Sequence, residues 1–156
     1  EKLAIECMES FQGIGVFGVE MFLTKDNEIL INEIAPRVHN SGHYTIESCV
    51  TSQFEQHIRA ICGMPLGSTE LTLPSIVINI LGEANKYGDP YYEGMKKALE
   101  IPGVNVHIYG KDCVKPFRKM VHVTIVDKER EKAIEKANKV KSILKAISTK
   151  GDNNEE

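Results

Sequence analysis

The chain has 156 residues, of which 42% are hydrophobic and 26% are charged, so it can form one or two packed units and is too apolar for general disorder. A formal net charge of −3 argues against nucleic-acid or acidic-membrane partners, because these usually require a basic surface. No stretch approaches the roughly 20 apolar residues of a membrane-spanning helix, and no secretory signal is recognisable, so we expect a cytoplasmic protein.

A helix followed by a hairpin is predicted at the start of the chain. Residues 3–8 have apolar side chains at helical spacing. Apolar and β-branched side chains in 15–23 predict a first strand, and those in 29–34 predict a second. The polar segment 25–28 between them is short enough to be the turn of a β-hairpin.

The hairpin carries two glutamates whose positions can be worked out from the turn. If Asp26 and Asn27 form a two-residue turn, Glu20 lies directly opposite Glu33. Like charges at such a position destabilise a sheet unless a cation lies between them. Magnesium prefers oxygen ligands, often one or two carboxylates with nucleotide phosphates. The pair therefore predicts a magnesium–nucleotide site, with a solvent-exposed pair or a register slipped by one residue as alternatives.

A polar loop follows the second strand, which Pro36 ends. Residues 37–43 include Arg37, His39, Asn40 and His43, and Gly42 is expected to permit unusual backbone angles. The guanidinium has a fixed fork of donors that suits carboxylate or phosphate, and histidine can donate or accept near neutral pH. The loop therefore predicts anion binding. The alternatives are a structural ion pair of the arginine with a nearby glutamate and structural histidines.

A second helix is predicted to begin after Ser52. Ser52 and Glu55 have the spacing of a capping box, and Gly63 with a following proline ends the helix. Residues 66–69 are predicted to form the boundary between two units of the chain. Beyond it, strands are predicted at 75–81, 104–109 and 120–126, a short helix after Asp89 and Pro90, and a last helix over 130–147, before a frayed tail at 151–156.

Two segments together resemble a known family. The segment GVFGVEMF at 15–22, followed by NEIAPRVHNSGH at 32–43, closely resembles carboxyaminoimidazole ribonucleotide synthases. The similarity continues through TSQFEQH at 51–57 and more weakly to the last helix. It implies an α+β fold, with the C-terminal part of an ATP-grasp domain at 1–66 as an antiparallel sheet with helices. A small α/β C-terminal substrate-binding domain would follow at 67–148, and a polar tail or linker at 149–156.

The resemblance also implies a reaction and a set of site residues. The family uses ATP and bicarbonate to form carboxyphosphate, then carboxylates the amine of aminoimidazole ribonucleotide, releasing ADP and phosphate. The implied cofactors are ATP and magnesium. The residues that match the family's site are Glu20 and Glu33 for the metal, these two with Asn32 for the nucleotide cofactor, Arg37, His39 and Asn40 for catalysis, and Lys111, Arg118 and Lys119 for the substrate phosphate.

Two residues depart from the family pattern near the implied phosphate site. Phe117 replaces a commonly found glycine, and Val121 stands where glycine is frequent. Both changes restrict the backbone and add bulk, so they bear on the shape of the substrate pocket. The alternative for the nearby lysines and arginine is a solvated basic rim.

The family also has parts that would precede this sequence. These are an amino-terminal domain and an ATP-grasp lobe that contacts the nucleotide, so we expect the chain alone to be inactive. A mutase or carboxylase domain, fused or separate, is a further possible partner. The alternative functions are another ATP-grasp carboxylase or carboxylate–amine ligase, or a noncatalytic interaction module derived from this domain.

Overall fold

The computed structural model describes residues 2–84 and 87–148, and these form two compact units that divide between Thr72 and Leu73. Helices and antiparallel sheets both occur, which confirms the predicted α+β class. Within the described ranges, no helix has the length and apolar character required to cross a membrane. The predicted tail at 151–156 lies outside the described residues. The assignment of separate nucleotide and substrate roles to the two units stays a prediction.

The first unit contains a helix, a hairpin and two further helices. Its elements are α1 (Lys2–Phe11), β1 (Gly18–Leu23), β2 (Ile29–Ala35), a 3-10 turn at Asn40–Gly42, α2 (Thr45–Ser48) and α3 (Gln53–Ile61). The predicted hairpin is confirmed, although β1 begins three residues later than predicted, at Gly18. The apolar side chains of the first unit are largely solvent-accessible; Phe11 is 61% and Ile14 is 74% exposed.

The turn of the hairpin differs from the prediction, yet the predicted pairing is confirmed. Thr24 N–H donates to Glu28 O (2.9 Å), so a loop over 24–28 replaces the two-residue turn. This shift alone would misalign the glutamates. A β-bulge between Glu20 and the following residue restores the register, because β2 contains one extra residue, Asn32, between the partners of these two positions. Glu20 therefore pairs with Glu33.

Helix α3 begins as predicted. The Ser52 side chain accepts a hydrogen bond from Glu55 N–H (3.2 Å), while the Glu55 carboxylate is engaged by Arg59 (2.7 Å). Gly63, with a φ of 64°, allows the chain to leave the helix. The segment that follows returns to the first unit, where Thr72 N–H donates to Ser48 O (2.7 Å).

The second unit is built on a three-stranded antiparallel sheet in the order β3-β6-β5. Its elements are β3 (Ser75–Leu81), β4 (Pro90–Glu93), α4 (Met95–Leu99), β5 (Val104–Ile108), β6 (Lys119–Val126), α5 (Arg130–Ile143) and β7 (Lys145–Ser148). Strand β6 is central and almost wholly buried from Met120 to Ile125, so both its faces are covered. The core joins it to the inner face of α5, at Ala133, Ala137 and Val140.

Two secondary-structure predictions in this unit are wrong. The residues after Asp89 form strand β4 before helix α4 begins, because β4 pairs antiparallel with β7 and Gly94 (φ 76°) turns the chain. The last helix ends at Ile143 and not at Ile147, because Leu144 adopts an extended conformation (φ −92°, ψ 120°) and leads into β7, which pairs with β4. This pairing involves residues more than 50 positions apart, which local periodicity does not reveal.

The two departures from the family pattern have different structural settings. Val121 lies in β6, is fully buried, and pairs with Ile80 and Ile108, so it fills the core of the sheet. Phe117 adopts a left-handed backbone (φ 60°), and its side chain is 73% exposed. The phenylalanine thus occupies a conformation that glycine adopts without a steric penalty.

Phe117→Gly should stabilise the second unit. A left-handed L-residue costs about 1–2 kcal/mol, and the larger entropy of glycine in the unfolded chain offsets about 0.5–1 kcal/mol of the gain. We therefore expect the free energy of opening of the β6 amides, measured by native-state hydrogen exchange, to rise by about 1 kcal/mol. Phe117→Ala is the matched control, because it removes the ring and keeps the strain. A gain equal in both variants, or a loss for glycine, would contradict this account.

Candidate active site

A group of oxygen donors lies on one face of the β1–β2 hairpin. Glu20 and Glu33 are direct cross-strand partners, so their side chains share a face. The bulged residue, Asn32, donates from Nδ2 to Glu20 Oε2 (3.2 Å). The bulge thus re-aims the asparagine towards the first carboxylate, and this amide contact orients that carboxylate.

The donor set on this face suits magnesium. It contains two exposed carboxylates and an amide, all of which present oxygen atoms. Magnesium is typically held by one or two carboxylates and completes its octahedron with substrate phosphates and water. Across residues 2–84 and 87–148, no group of three or more histidine, cysteine, aspartate or glutamate side chains is arranged around a common metal position. Two carboxylates on one face leave positions in the octahedron for nucleotide phosphates, so the residues present fit a metal shared with a nucleotide.

His39 connects the loop to this carboxylate face. Its Nε2 lies 3.2 Å from Glu20 Oε1, and its Nδ1 accepts a hydrogen bond from Ser41 N–H (3.3 Å). With Nδ1 as an acceptor, an N–H group at Nε2 is placed to donate a hydrogen bond to Glu20. Gly18 makes room for the imidazole, because a Cβ at that position would lie 2.8 Å from the histidine Cβ and Cγ atoms.

The other two predicted catalytic residues lie beside this histidine in the chain. Arg37 is exposed and donates from Nη1 to Val38 O (3.0 Å). In the portion of the chain that the structure describes, its guanidinium forms no ion pair with a carboxylate, so its charge is available to an anion. Asn40 begins the 3-10 turn, and its carbonyl accepts from His43 N–H (3.2 Å).

A buried glutamine that sequence reasoning did not single out ties this loop to α3. Gln53 is 8% exposed, and its amide bonds to both backbone groups of His39, accepting from N–H (2.9 Å) and donating to O (2.8 Å). Gly42 has an ordinary φ, so its predicted backbone freedom is not what the loop uses. It is needed for space, because a Cβ there would lie 2.4 Å from Gln53 Oε1. The sequence signal for the role of Gln53 was a glutamine at the first position of a helix.

The same helix also holds the chain in front of β1. Val16 N–H donates to His57 Nδ1 (3.1 Å), and a Cβ at Gly15 would lie 2.8 Å from the same imidazole. His57 lies one helical turn after Gln53, so both side chains project from one face of α3. One helix face therefore fixes the entrance to β1 and the loop after β2.

The predicted substrate residues form a cationic cluster in the second unit. Lys111 Nζ donates to the carbonyl of Lys119, and Arg118 Nη1 donates to Cys113 O (3.2 Å). Burial lowers the pKa of Lys111, and the charges of Arg118 and Lys119 lower it further. In residues 2–84 and 87–148, none of the three cations is in an ion pair with a carboxylate. Such a cluster favours an anion.

An aromatic platform supports this cluster. Lys111 Nζ lies 5.5 Å from the centroid of the Tyr109 ring, within the range of a cation–π contact. The Tyr109 hydroxyl lies 3.1 Å from His122 Nδ1, and the His122 ring stacks on His107 with centroids 4.3 Å apart. Burial raises the pKa of Tyr109. Sequence reasoning did not single out His107 and His122, because they come together only through the pairing of β5 with β6.

A groove of about 940 Å³ in the second unit contains none of the predicted site residues. It is lined by the end of α5, the β4–α4 connection and Lys145. Both lysines and glutamates line the groove, so it carries charges of both signs. Lys145 forms an ion pair with Glu83 (3.3 Å). The predicted anion chemistry therefore does not lie in this groove.

Two family models match the chain. Residues 1–54 match the ATP-grasp domain, and residues 75–136 match the phosphoribosylaminoimidazole carboxylase C-terminal domain. The first match contains the hairpin and the loop, and the second contains the cationic cluster. The chain thus carries segments of both domains in the predicted order.

Named relatives agree with these matches. The chain is 46% identical over 152 residues to N5-carboxyaminoimidazole ribonucleotide synthase of Aquifex aeolicus, covering 96% of this chain and 40% of that protein. The crystal structure of N5-carboxyaminoimidazole ribonucleotide synthetase from Thermotoga maritima is 58% identical, with a TM-score of 0.86 over 94% of this chain and 41% of that one.

A third relative was solved with ligands. The N5-carboxyaminoimidazole synthase of Aspergillus clavatus, in complex with ADP and 5-aminoimidazole ribonucleotide, is 42% identical with a TM-score of 0.76. It is matched over 89% of this chain and 37% of its own. The chain therefore spans about two fifths of the length of these three relatives. By its sequence and its fold, the chain belongs to the N5-carboxyaminoimidazole ribonucleotide synthase family.

Proposed function

We propose that this chain forms part of an ATP-dependent carboxylase that acts on aminoimidazole ribonucleotide. Bicarbonate oxygen attacks the γ-phosphorus of ATP, which gives carboxyphosphate and ADP. The substrate amine then attacks the carboxyl carbon, phosphate leaves, and the amine loses a proton to give the carbamate. The observation that supports this proposal most strongly is the cross-strand pairing of Glu20 with Glu33, in which the Glu20 carboxylate is held by both Asn32 and His39.

The hairpin residues bind the nucleotide in this proposal. Glu20 and Glu33 would hold magnesium, which when bound neutralises charge on the ATP phosphates. Asn32 orients the carboxylate of Glu20 through its amide. His39 donates to the other oxygen of that carboxylate, so a hydrogen bond to each oxygen fixes its direction.

The loop residues act on bicarbonate and carboxyphosphate. Arg37 supplies an exposed cation close in sequence to the carboxylate strand, and it would stabilise the charge that develops on the transferred group. Asn40 offers an amide next to His39 in the same loop. Because these donors follow a buried residue at the end of β2, Ala35, their backbone is anchored before the loop begins.

The cationic cluster binds the phosphate of the ribonucleotide. Lys111, Arg118 and Lys119 supply three positive charges, and mutual repulsion is relieved when an anion binds. The exposed Phe117 immediately precedes Arg118 in the chain. This separates the roles of the units into nucleotide chemistry in the first and substrate phosphate binding in the second.

The complete enzyme needs parts that this chain does not supply. An amino-terminal domain and the nucleotide-contacting ATP-grasp lobe would bind ATP and bring the two anions together, so the isolated chain should not turn over ATP. A cytoplasmic location and a fused or separate mutase or carboxylase domain stay predictions. Competition between aminoimidazole ribonucleotide and other amines in an assay of the complete enzyme decides between this synthase and another ATP-grasp ligase.

Replacing Glu20 or Glu33 with glutamine should reduce magnesium-dependent ATP turnover in the complete enzyme. The amide keeps the size of the side chain and removes the negative charge that attracts the metal. We expect the magnesium concentration at half-maximal rate to rise at least about tenfold, which corresponds to about 1.4 kcal/mol. The measurement is bicarbonate-dependent ADP release as a function of magnesium concentration.

The matched control for these variants is Glu28→Gln. Glu28 is an exposed glutamate of the same hairpin, in the loop away from the paired carboxylates, so its loss should leave the magnesium dependence unchanged. An unaltered magnesium dependence in both Glu20→Gln and Glu33→Gln would refute the metal assignment.

Substitutions in the two anion sites should produce different kinetic defects. The substrate phosphate stays anionic throughout, so Arg118→Ala or Lys111→Ala should remove uniform binding and raise KM for aminoimidazole ribonucleotide about tenfold or more. Arg37→Ala should instead lower kcat, because its charge acts on the group being transferred. Steady-state kinetics at saturating ATP and bicarbonate measure both KM and kcat.

The control for these variants is Lys128→Ala, because Lys128 is an exposed lysine of the second unit. If KM stays unchanged in both cluster variants, the cluster is a solvated rim.

A further inference from the structure

We infer that Gln53 is a positioning residue that fixes the backbone of His39 and the tautomer of His43 in the proposed bicarbonate loop. The inference rests on the proposed function, and it assigns to the enzyme a residue that does not touch substrate. Its basis is one buried side-chain amide whose oxygen and nitrogen are both committed to the loop.

The orientation of the Gln53 amide is determined by its partners. His39 N–H is a donor and must face the amide oxygen, at 2.9 Å, while His39 C=O is an acceptor and must face the amide nitrogen, at 2.8 Å. In a flipped amide, the side-chain nitrogen would face the N–H group of His39 and the side-chain oxygen would face its carbonyl oxygen, so neither hydrogen bond could form. The backbone of His39 is therefore held at both its polar groups by a side chain that is 8% exposed.

This orientation determines how His43 meets the same amide. Gln53 Nε2 lies 3.0 Å from His43 Nδ1, and an amide nitrogen can only donate. Nδ1 must then accept, so a neutral His43 carries its proton on Nε2. The His43 ring also stacks on Phe54 at 5.8 Å, which limits its rotation. Gln53 therefore sets which ring nitrogen of this histidine is a donor.

The residues around Gln53 restrict the position of its side-chain amide. Gln53 N–H donates to Thr45 Oγ1 (2.9 Å), and that hydroxyl donates to Gly42 O (2.6 Å). The amide lies against Gly42 so closely that a Cβ there would be 2.7 Å from Gln53 Cδ. Loss of the amide would leave the partly buried backbone groups of His39 without these partners, and the loop would shift to find others.

The same helix contains a matched control. Gln56 makes the same two-point contact with Gly67, donating to O (2.7 Å) and accepting from N–H (2.9 Å). It is three residues from Gln53 on the same helix and is partly buried. Its contact fixes the segment after α3 and no residue of the proposed loop. The two glutamines therefore share a structural contribution and differ in what they position.

Methionine substitutions in the complete enzyme separate these contributions. Methionine keeps the length of glutamine and removes the hydrogen bonds of the side-chain amide, so Gln53→Met and Gln56→Met should both lower the melting temperature. Gln53→Met should in addition lower kcat for carboxylation about 10- to 100-fold, with KM for ATP nearly unchanged, because a misplaced catalytic loop affects chemistry more than binding. Gln56→Met should keep kcat within about twofold of the wild-type value.

A double-mutant cycle tests whether Gly42 provides the space that the Gln53 amide occupies, and it does not use the methionine variants. Gly42→Ala should displace the Gln53 amide and lower kcat to about the same extent as Gln53→Ala. Adding Gly42→Ala to Gln53→Ala should cause little further loss, since the amide that the new methyl group would strike is gone. Fully additive losses would show that Gly42 acts independently of Gln53 and would contradict the inference.

A spectroscopic readout keeps the inference separate from the proposed function. In ¹⁵N-histidine-labelled enzyme, the His43 Nδ1 resonance should be that of an unprotonated nitrogen and should change in Gln53→Met but not in Gln56→Met. An unchanged His43 resonance with unchanged kcat would reduce Gln53 to a structural residue and overturn the inference. If wild-type enzyme carboxylates no aminoimidazole ribonucleotide, the proposed function fails, and the resonance alone decides the inference.

Discussion

The β-bulge at Asn32 is the constraint on which the proposed site depends. The loop over 24–28 sets a register in which Glu20 would pair with Asn32, and Glu33 would oppose Val19. Side chains alternate between faces along a strand, so the two glutamates would then lie on opposite faces of the hairpin. The extra residue in β2 shifts the pairing by one and returns both carboxylates to one face, with Asn32 hydrogen-bonded to the first of them.

Polar contacts, more than apolar burial, hold the first unit around this bulge. Ala35 is the sole buried apolar residue recorded among the described residues of that unit, whereas the second unit has a continuous core from β6 to α5. The two-point contacts of Gln53 and Gln56 and the His57 contact to Val16 join α3 to segments before and after it. These buried or half-buried polar pairs are expensive to break, so they specify where the loops lie.

Local signals in the sequence predicted the elements whose causes are local. The cap at Ser52 is an example, since its donor lies three residues away, and strand β3 was predicted with the bounds that the structure has. Strands β4 and β7 were missed because each exists through the other, at a separation that periodicity does not report. A two-residue turn and a regular second strand were both wrong, and their errors cancelled at Glu20 and Glu33.

The site could be predicted in its residue types and not in its geometry. The spacing of the carboxylates indicated metal binding, because magnesium prefers carboxylate oxygens. The donors of residues 37–43 indicated anion binding, because a guanidinium suits carboxylate or phosphate. The role of Gln53 could not be read in this way, because its partners His39 and His43 lie 14 and 10 residues earlier. In the sequence it is an ordinary residue at the start of a helix. Gly42 was assigned backbone freedom, whereas the structure shows that it provides space.

The position of the metal tests the central claim most directly. Crystals of the complete enzyme grown with ADP and Mn²⁺, which replaces magnesium and scatters anomalously, would locate the ion. The bulged hairpin predicts an anomalous peak about 2.0–2.3 Å from a carboxylate oxygen of both Glu20 and Glu33, with the nucleotide phosphates as further ligands. A manganese ion on the nucleotide with neither carboxylate in its coordination sphere would contradict the account.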